Sequence, residues 1–225
     1  MSHKESLFLS GDGSHTLFST KFGAHYHSLH GAIDESVHVF IIAGLYKLVR
    51  QSYTKIRIFE MGFGSGLNAL LTMLETEKFG IEVSYDTIES DPVPLSEIEK
   101  LNYTELLSCS GSLLTELHQA SQNQYVKIRE GFHFRKLIGK IEDHMFDKKY
   151  DLVYWDAFAP ECQSSLWESE IHKRIYDAMD DYGVLVSYCT KGSFKRVLKG
   201  LGYKLESLRG PGKKREMIRA VKCPR

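Results

Sequence analysis

The stretch IFEMGFGSGLNAL, residues 58–70, decides the fold of this chain. A short apolar run leads into three glycines at alternate positions, and a pattern typical of a helix follows. Glycine suits a turn where the backbone approaches a ligand or takes a positive φ, because it has no Cβ. The spacing here is G-x-G-x-G, whereas the dinucleotide fingerprint is G-x-G-x-x-G. The stretch predicts a strand, a ligand-binding turn and a helix, and it leaves the ligand open.

Beyond this turn, apolar β-branched runs alternate with longer amphipathic stretches, the pattern of repeated βα units. The last three strands have only one helix between them, and glycines mark their turns. This predicts a mainly parallel α/β sheet that ends in an antiparallel hairpin. The predicted strands lie near 54–60, 82–89, 124–130, 149–156, 182–190, 202–208 and 216–222, and the predicted helices near 66–77, 94–107, 133–142, 165–179 and 192–200.

Residues 1–50 differ from the rest of the chain. Short polar and apolar alternations rich in Gly, Ser and His (8–28) lead into a helix predicted around 34–50. A length of 225 residues fits one domain. We therefore expect a single domain over 1–225, with 1–50 as an N-terminal extension and helix and 51–225 as a Rossmann-like core.

Composition narrows the class of protein. With 42% hydrophobic and 26% charged residues, the chain is expected to be globular, and it shows neither a signal peptide nor a membrane anchor. Its four cysteines form no C-x-x-C pair, so neither a zinc site nor a disulfide framework is indicated, and the cytoplasm is the expected location. Net charge is zero, but 12 basic residues and only two acids fall in 191–225. Such a basic region favours phosphate binding, with a solvated surface as the alternative.

Two carboxylates accompany the glycine turn. Glu60 precedes the first glycine by two residues, where its charge would repel a pyrophosphate and attract an ammonium group. Glu89 ends the next predicted strand, 23 residues after Gly66, close to the ~20-residue spacing at which an acid receives ribose hydroxyls. An adenosyl group that carries an amino acid would use both acids. The pair favours S-adenosylmethionine, while an NAD-binding oxidoreductase or nucleotide-binding module and simple strand-end caps remain alternatives.

A third acidic residue ends the predicted strand at 149–156 and opens the loop Asp156-Ala157-Phe158-Ala159-Pro160. In an open α/β sheet, ligands lie beyond the carboxyl ends of the strands, so Asp156 should face the same crevice as Gly62 and Glu89. A carboxylate there can orient an amine and accept its proton. Asp156 is therefore the leading candidate for a catalytic residue, with a loop-ordering or helix-capping role as the alternative.

Four segments resemble the methyltransferase domain of the MnmC family, which completes the methylaminomethyl group of a tRNA wobble uridine. They are the glycine turn at 60–68 with its Gly-Leu-Asn ending, the loop at 156–160 followed by Trp167, the Lys-Arg-Glu-Met strand at 212–217, and the stretch 26–40 with its Tyr, Gly, Glu and Val-Phe. The resemblance implies the class I methyltransferase fold, a seven-stranded mixed sheet with one antiparallel strand. It also implies S-adenosyl-L-methionine as cofactor and tRNA as partner.

The residues that match these motifs carry the expected roles. Asp156 is the expected catalytic residue, and Gly131-Phe132 stands where the family shows Gly-Asp after the third strand. The expected cofactor contacts are Glu60, Gly62, Phe63, Gly64, Gly66, Leu67, Asn68, Glu89, Ser90, Gly131 and Phe132. The expected substrate contacts are Tyr26, Phe158, Pro160, Lys214 and Arg215.

Several functional alternatives remain open. A small molecule or a protein amine could replace tRNA as methyl acceptor, as the neutral net charge would suggest. The histidines at 25, 27 and 30 invite a metal site, but no Cys or acidic ligand pattern supports one, and Cys162 lacks an identifiable base for a nucleophilic role. No metal is therefore expected. The chain ends at Arg225 without the flavin-dependent oxidase half of the family, so we expect a stand-alone form whose amine substrate a separate enzyme supplies.

Overall fold

The computed structural model describes residues 5–212 and 214–224. The strands along the chain are β1 (Ser6–Leu9), β2 (His15–Ser19), β3 (Ala24–His25), β4 (Lys55–Met61), β5 (Glu82–Glu89), β6 (Tyr125–Arg129), β7 (Phe132–Ile138), β8 (Tyr150–Trp155), β9 (Met179–Ser187), β10 (Tyr203–Arg209) and β11 (Glu216–Lys222). The α-helices are α1 (Ala32–Ser36), α2 (Tyr46–Val49), α3 (Leu67–Phe79), α4 (Leu95–Ile98), α5 (Tyr103–Leu106), α6 (Leu113–Gln119), α7 (Ser169–Ala178) and α8 (Gly192–Leu201).

The main sheet has eight strands in the order β10-β11-β9-β8-β4-β5-β7-β6. Strands β4, β5, β7, β8 and β9 pair in parallel. Strand β11 runs antiparallel to both β9 and β10, and β6 is antiparallel to β7 at the opposite edge. The predicted parallel α/β sheet with a terminal antiparallel hairpin is confirmed. The sheet exceeds the expected seven strands by one, and it has two antiparallel strands where one was expected.

The additional strand lies where a helix was predicted at 133–142. In β7, Phe132 and Phe134 are buried while His133 and Arg135 are partly exposed. This alternation has the two-residue period of a strand, so the helix prediction was wrong. Because β7 is the third parallel strand and β6 is only its antiparallel edge partner, the carboxyl end of the third strand lies at Ile138.

The helix predicted at 94–107 is interrupted. It consists of the single turns α4 and α5, and α6 follows, which was not predicted. The interruption falls at Asn102, whose side-chain amide donates to the Gly13 carbonyl at 2.9 Å and accepts from the His15 N–H at 2.8 Å. This residue therefore ties the connection after β5 to the N-terminal strands instead of continuing a helix.

The N-terminal segment contains the predicted helix, preceded by a small antiparallel sheet, β1-β2-β3. The helix runs through α1, a π-helical stretch (Val37–Leu45) and α2, close to the predicted range. It packs tightly on the main sheet, because a Cβ added to Gly44 would lie 3.1 Å from Val186 and 3.2 Å from Tyr154. The single-domain organisation of 1–225 stays a prediction.

Apolar side chains fill both faces of the main sheet. Successive residues of β4 alternate between them, with Ile58 in one buried cluster and Phe59 in the other. Within residues 5–212 and 214–224, no helix has the length and apolar character needed to cross a membrane. The layered sheet leaves the carboxyl ends of β4, β5, β8 and β9 at one edge, where the candidate site lies.

Candidate functional site

The glycine turn joins β4 to α3 in a backbone conformation that favours glycine. Gly62, Gly64 and Gly66 have φ values of 87°, 50° and 78°. The neighbours also approach closely, since a Cβ on Gly62 would lie 3.0 Å from the Asp156 carbonyl oxygen, and one on Gly64 would lie 2.9 Å from Cδ1 of Tyr26. The turn is therefore a cradle of bare backbone at the base of a cavity.

Glu89 fastens the end of β5 to this turn. Its Oε2 accepts a hydrogen bond from the Gly64 N–H at 3.0 Å, and its Oε1 accepts one from the Asp91 N–H at 2.8 Å. Burial raises the pKa of Glu89, and these backbone donors oppose the shift. The side chain of Glu89 lines the cavity beside Ser90. The structure thus brings the predicted ribose-binding acid and the glycine turn together.

Glu60 lies beneath the turn and does not line the cavity. Its side chain is fully buried, and neither carboxylate oxygen has a hydrogen-bond partner within the described residues, although Thr87, Asn68 and Tyr85 lie beside it. Burial raises the pKa of Glu60 to about 8, and the nearby Asp156 carboxylate adds to the shift. Glu60 is therefore held near its neutral form, below the turn and not in contact with the cavity.

Asp156 faces the cavity from the end of β8. Its backbone N–H donates to the Met61 carbonyl at 3.1 Å, and its Oδ2 accepts from Nδ2 of Asn68 at 2.8 Å. Burial raises the pKa of Asp156 to about 7, while the Asn68 hydrogen bond opposes the shift. A carboxyl group with a pKa near neutrality can exchange protons with a ligand at physiological pH. Asn68 from the first turn of α3 fixes its direction.

The loop that follows Asp156 is held by three side chains. The Tyr188 hydroxyl donates to the Ala157 carbonyl at 2.8 Å, and Nε1 of Trp167 donates to the Phe158 carbonyl at 2.9 Å. The Phe158 N–H donates to Oε1 of Gln163 at 3.1 Å. These bonds hold the backbone of the loop, and the Phe158 ring contacts Tyr26 at 5.0 Å between centroids in an edge-on arrangement. The loop and the N-terminal segment together form an aromatic wall.

The cavity enclosed by these elements has a volume of about 240 Å³. The glycine turn, the end of β5 and the loop after β8 form one side, and the N-terminal segment covers the other. The aromatic wall also includes Phe22, whose ring stacks on Phe158 at 4.7 Å. Of the predicted site residues, those that line the cavity are Tyr26, Gly62, Phe63, Gly64, Glu89, Ser90, Asp156, Phe158 and Lys214.

A second, more open cavity adjoins the first and shares Ala159, Tyr188 and Lys214 with it. The predicted residues Pro160 and Arg215 line this second cavity instead of the first. Its remaining lining residues are Cys189, Thr190, Lys191 and Glu216. The predicted substrate contacts therefore fall on two connected spaces.

Besides Glu60, Gly66 and Asn68, three more predicted cofactor contacts do not line the cavity. Gly131 and Phe132 stand at the amino end of β7, where the Val83 N–H donates to the Gly131 carbonyl at 2.7 Å, at the edge of the sheet opposite the cavity. The prediction of these two residues depends on a third parallel strand at 124–130. The glycine at the carboxyl end of that strand is Gly139, whose N–H donates to the Glu89 carbonyl at 3.0 Å. Leu67 is 1% exposed and belongs to the core.

Gly66 supports the turn from its far side. It precedes α3, and a Cβ there would lie 2.9 Å from Nε2 of His118. His118 also packs on the ring of Phe63 at 4.6 Å and hydrogen-bonds the Ser65 carbonyl at 3.1 Å. Gly66 therefore shapes the turn and is not among the residues that line the cavity.

Sequence reasoning missed several lining residues. Glu35 lies within the stretch 26–40 that resembles the family, but it is not among the predicted site residues. Tyr188 directly follows β9, so it could be predicted from the rule that ligands lie beyond the carboxyl ends of the strands. His27 bonds Oγ of Ser65 through Nε2 at 2.7 Å, and burial lowers the pKa of His27 to about 4. Across residues 5–212 and 214–224, no three His, Cys, Asp or Glu side chains are grouped to hold a metal ion.

Comparisons with known proteins agree with this architecture. A family model described as S-adenosyl-L-methionine-dependent methyltransferase matches residues 108–223, about half of the chain. The MnmC bifunctional protein of Leptospira interrogans, named for tRNA 5-methylaminomethyl-2-thiouridine biosynthesis, is 26% identical over 90% of this chain and 33% of its own length. An uncharacterized protein of Methanocaldococcus jannaschii is 29% identical over 95% of this chain and 58% of its own length.

Among solved structures, MnmC2 from Aquifex aeolicus superposes with a TM-score of 0.77 at 26% identity, covering 99% of this chain and 72% of that chain. The chain spans about a third of the length of the curated MnmC relatives that it matches. The class I fold and the cofactor expected from the sequence are confirmed. The chain belongs to the family of S-adenosyl-L-methionine-dependent methyltransferases and resembles the MnmC methyltransferase domain.

Proposed function

We propose that this methyltransferase transfers a methyl group to the nitrogen of an aminomethyl substituent on a modified wobble uridine in tRNA. The observation that carries the proposal is Asp156, a carboxyl group with a pKa near neutrality that faces the cavity between the glycine turn and the aromatic wall. The names of the MnmC relatives support the tRNA substrate.

The cradle of bare backbone fits S-adenosylmethionine. A Cβ at Gly62 or Gly64 would fill the space beside the turn. Glu89 lies one βα unit away, and each of its two carboxylate oxygens accepts a hydrogen bond from a backbone N–H. We assign the methionine end to the turn and the ribose hydroxyls to Glu89. Glu60 lies below the turn beside Asn68 and does not line the cavity. When bound, S-adenosylmethionine supplies an electrophilic methyl group on a sulfonium.

Asp156 prepares the acceptor nitrogen. A lysine-like alkylamine has an ordinary pKa of ~10.4, so at neutral pH most of it carries a proton and cannot attack. The Asp156 carboxylate accepts that proton, and Asn68 holds the carboxylate in place through the 2.8 Å hydrogen bond. The rings of Tyr26 and Phe158 restrict the orientation of the acceptor and exclude water. Positioning at a near-attack distance of roughly 3 Å then supplies much of the catalysis.

The second cavity supports a polynucleotide acceptor. Its wall contains Lys191, Lys214 and Arg215, and it opens directly beside the loop after Asp156. Lys191 pairs with Glu161, and Lys214 pairs with Glu35, whereas Arg215 has no ion pair in the described part of the chain. We assign Arg215 to a phosphate next to the modified nucleotide. A separate enzyme that forms the aminomethyl group would supply the substrate.

The test is methylation of tRNA that carries the aminomethyl nucleoside, with S-adenosylmethionine as donor and nucleoside mass spectrometry as readout. We expect a mass gain of one methyl group on that nucleoside, loss of turnover in Asp156→Ala, and retained cofactor binding by calorimetry. Binding of tRNA should weaken steeply with added salt if phosphates contribute. Absence of methylation on the correctly modified tRNA would refute the proposal, and methylation of a free amine instead would support the small-molecule alternative.

A further inference from the structure

The first cavity contains a site for a cation that is filled by a side chain of the protein itself. Oε1 of Glu35 accepts from Nζ of Lys214 at 2.5 Å, and the same Nζ lies 4.9 Å from the centroid of the Tyr188 ring. A carboxylate beside an aromatic face is a combination that binds ammonium groups. All three residues line the cavity that Asp156 faces.

The two sides of this site differ in how firmly they are held. The Glu35 side chain is 11% exposed, and its Oε2 accepts from the Ser28 N–H at 2.9 Å. The Tyr188 hydroxyl is fixed on the Ala157 carbonyl. Lys214, by contrast, is 41% exposed and lies in the connection between β10 and β11. The anionic and aromatic parts are therefore preformed, whereas the lysine can leave at the modest cost of a partly exposed ion pair.

The position of the site relative to Asp156 connects it with the acceptor. The charges of both Glu35 and Lys214 act on Asp156, in opposite directions. The cavity is lined by both of these carboxyl groups, one directly after β8 and one in α1. An aminomethyl group arrives mostly as an ammonium ion, since a lysine-like primary amine has an ordinary pKa of ~10.4. It carries the same charge as the lysine that occupies the site.

We propose that Glu35 and Tyr188 bind the acceptor's ammonium group in exchange for Lys214, and so select a cationic aminomethyl acceptor over a neutral one. The inference rests on the proposed function for the nature of the acceptor. Glu35 is a specificity-determining residue that captures the charged amine, and Asp156 removes its proton. Lys214 keeps the carboxylate paired until the acceptor enters, so it competes with the substrate.

The exchange predicts opposite effects for the two members of the ion pair. Glu35→Gln keeps an acceptor for the Ser28 N–H but loses the charge, and should weaken amine binding at least tenfold. Lys214→Gln removes the competitor and should tighten amine binding severalfold. An ion pair with a purely structural role would give losses of similar size in both variants. Lys195→Gln is the control, because it breaks the 2.8 Å pair with Glu216 outside the first cavity.

The experiment measures binding of 5-aminomethyluridine and of uridine to the protein saturated with S-adenosylhomocysteine, by calorimetry or NMR titration. We expect wild type to prefer the amine, Glu35→Gln to lose that preference while its binding of S-adenosylhomocysteine is unchanged, and Lys214→Gln to strengthen it. Parallel losses in both variants, no change in either, or no preference for the amine in wild type would overturn the inference.

This readout is separate from tRNA methylation. If wild type binds the amine as described but does not methylate the modified tRNA, the proposed function fails and the exchange stands. If the tRNA is methylated but the two variants behave alike, the exchange alone fails.

Discussion

Replacing the candidate catalytic acid with its amide should stabilise the protein, and more so at high pH. Burial raises the pKa of Asp156 to about 7 in the folded chain, whereas the ordinary value in an unfolded chain is about 3.9. A raised folded pKa means that the folded state binds the proton more tightly. The wild type therefore loses stability as pH rises from about 4 through 7. Asp156→Asn removes this loss.

The magnitude follows from the two pKa values. Because the unfolded chain releases the Asp156 proton more readily than the folded chain, the raised pKa lowers the free energy of unfolding by about 1.5 kcal/mol at pH 5 and by about 4 kcal/mol at pH 8, at about 1.36 kcal/mol per pKa unit. The advantage of Asp156→Asn should therefore grow by roughly 2.5 kcal/mol between the two pH values. The amide oxygen still accepts from Asn68, and any constant change in packing cancels in the difference.

Urea unfolding of the cofactor-free protein at pH 5 and pH 8 measures this quantity. Asp181→Asn is the matched control, because it removes an exposed carboxyl group of β9 and should not reproduce the pH-dependent gain. The same Asp156→Asn protein should be inactive in methyl transfer while it still binds S-adenosylmethionine. A stability difference that is constant with pH, or that is larger at pH 5, would refute the reasoning.

Three further predictions concern the cofactor cradle and the support of the acid. Gly64→Ala should lower the free energy of unfolding by about 1–2 kcal/mol and weaken S-adenosylmethionine binding about tenfold in calorimetry, because its Cβ would lie 2.9 Å from an aromatic ring. The control Gly80→Ala, at φ 61° and with open space around its Cβ in the described structure, should keep wild-type affinity. Equal losses of affinity in both variants would contradict the assignment. Asn68→Leu removes the donor that holds the Asp156 carboxylate, so the acid limb of the plot of kcat/KM against pH should move to higher pH. At neutral pH, kcat/KM should fall about tenfold. An unshifted acid limb would argue against Asp156 as the base. Glu89→Ala leaves two backbone N–H groups without their acceptor and should weaken S-adenosylhomocysteine binding at least about tenfold. Glu89→Gln should lose less affinity. An unchanged calorimetric affinity in Glu89→Ala would contradict the assignment of the ribose to Glu89.

The side of the cavity that the parallel strands form could be predicted from the sequence because it depends on local pattern. Glycines at 62, 64 and 66 mark the turn even when the exact ends of the strand and helix are unknown. Ligands lie beyond the carboxyl ends of the strands in an open α/β sheet, so Glu89 and Asp156 are expected at the same edge of the sheet. The position of Gly131 and Phe132 away from the cavity has a single cause. Residues 125–138 form two antiparallel strands, and if the first of them is taken as the third parallel strand, the expected cofactor contact falls at the edge of the sheet opposite the cavity.

The environment of each acid could not be predicted in the same way. Glu60 precedes the first glycine by two residues, which suggested contact with an ammonium group, yet the alternation of β4 turns its side chain under α3. Which face a strand residue takes is set by the register of the whole sheet, and the turn sequence does not encode it. The pairing of Glu35 with Lys214 joins positions 179 residues apart, so no local spacing could have revealed it.

The two sides of the cavity have different origins in the chain, and this explains why the sequence informs on one better than on the other. The turn, Glu89 and Asp156 come from the parallel strands, whose geometry the fold fixes. Tyr26 and Glu35 come from the N-terminal segment, and Lys214 comes from the hairpin connection. Connections vary more freely than the elements they join, so residues outside the parallel strands should set the choice of acceptor. Exchanging the N-terminal segment and the hairpin connection between relatives should therefore change the acceptor while S-adenosylmethionine binding is preserved.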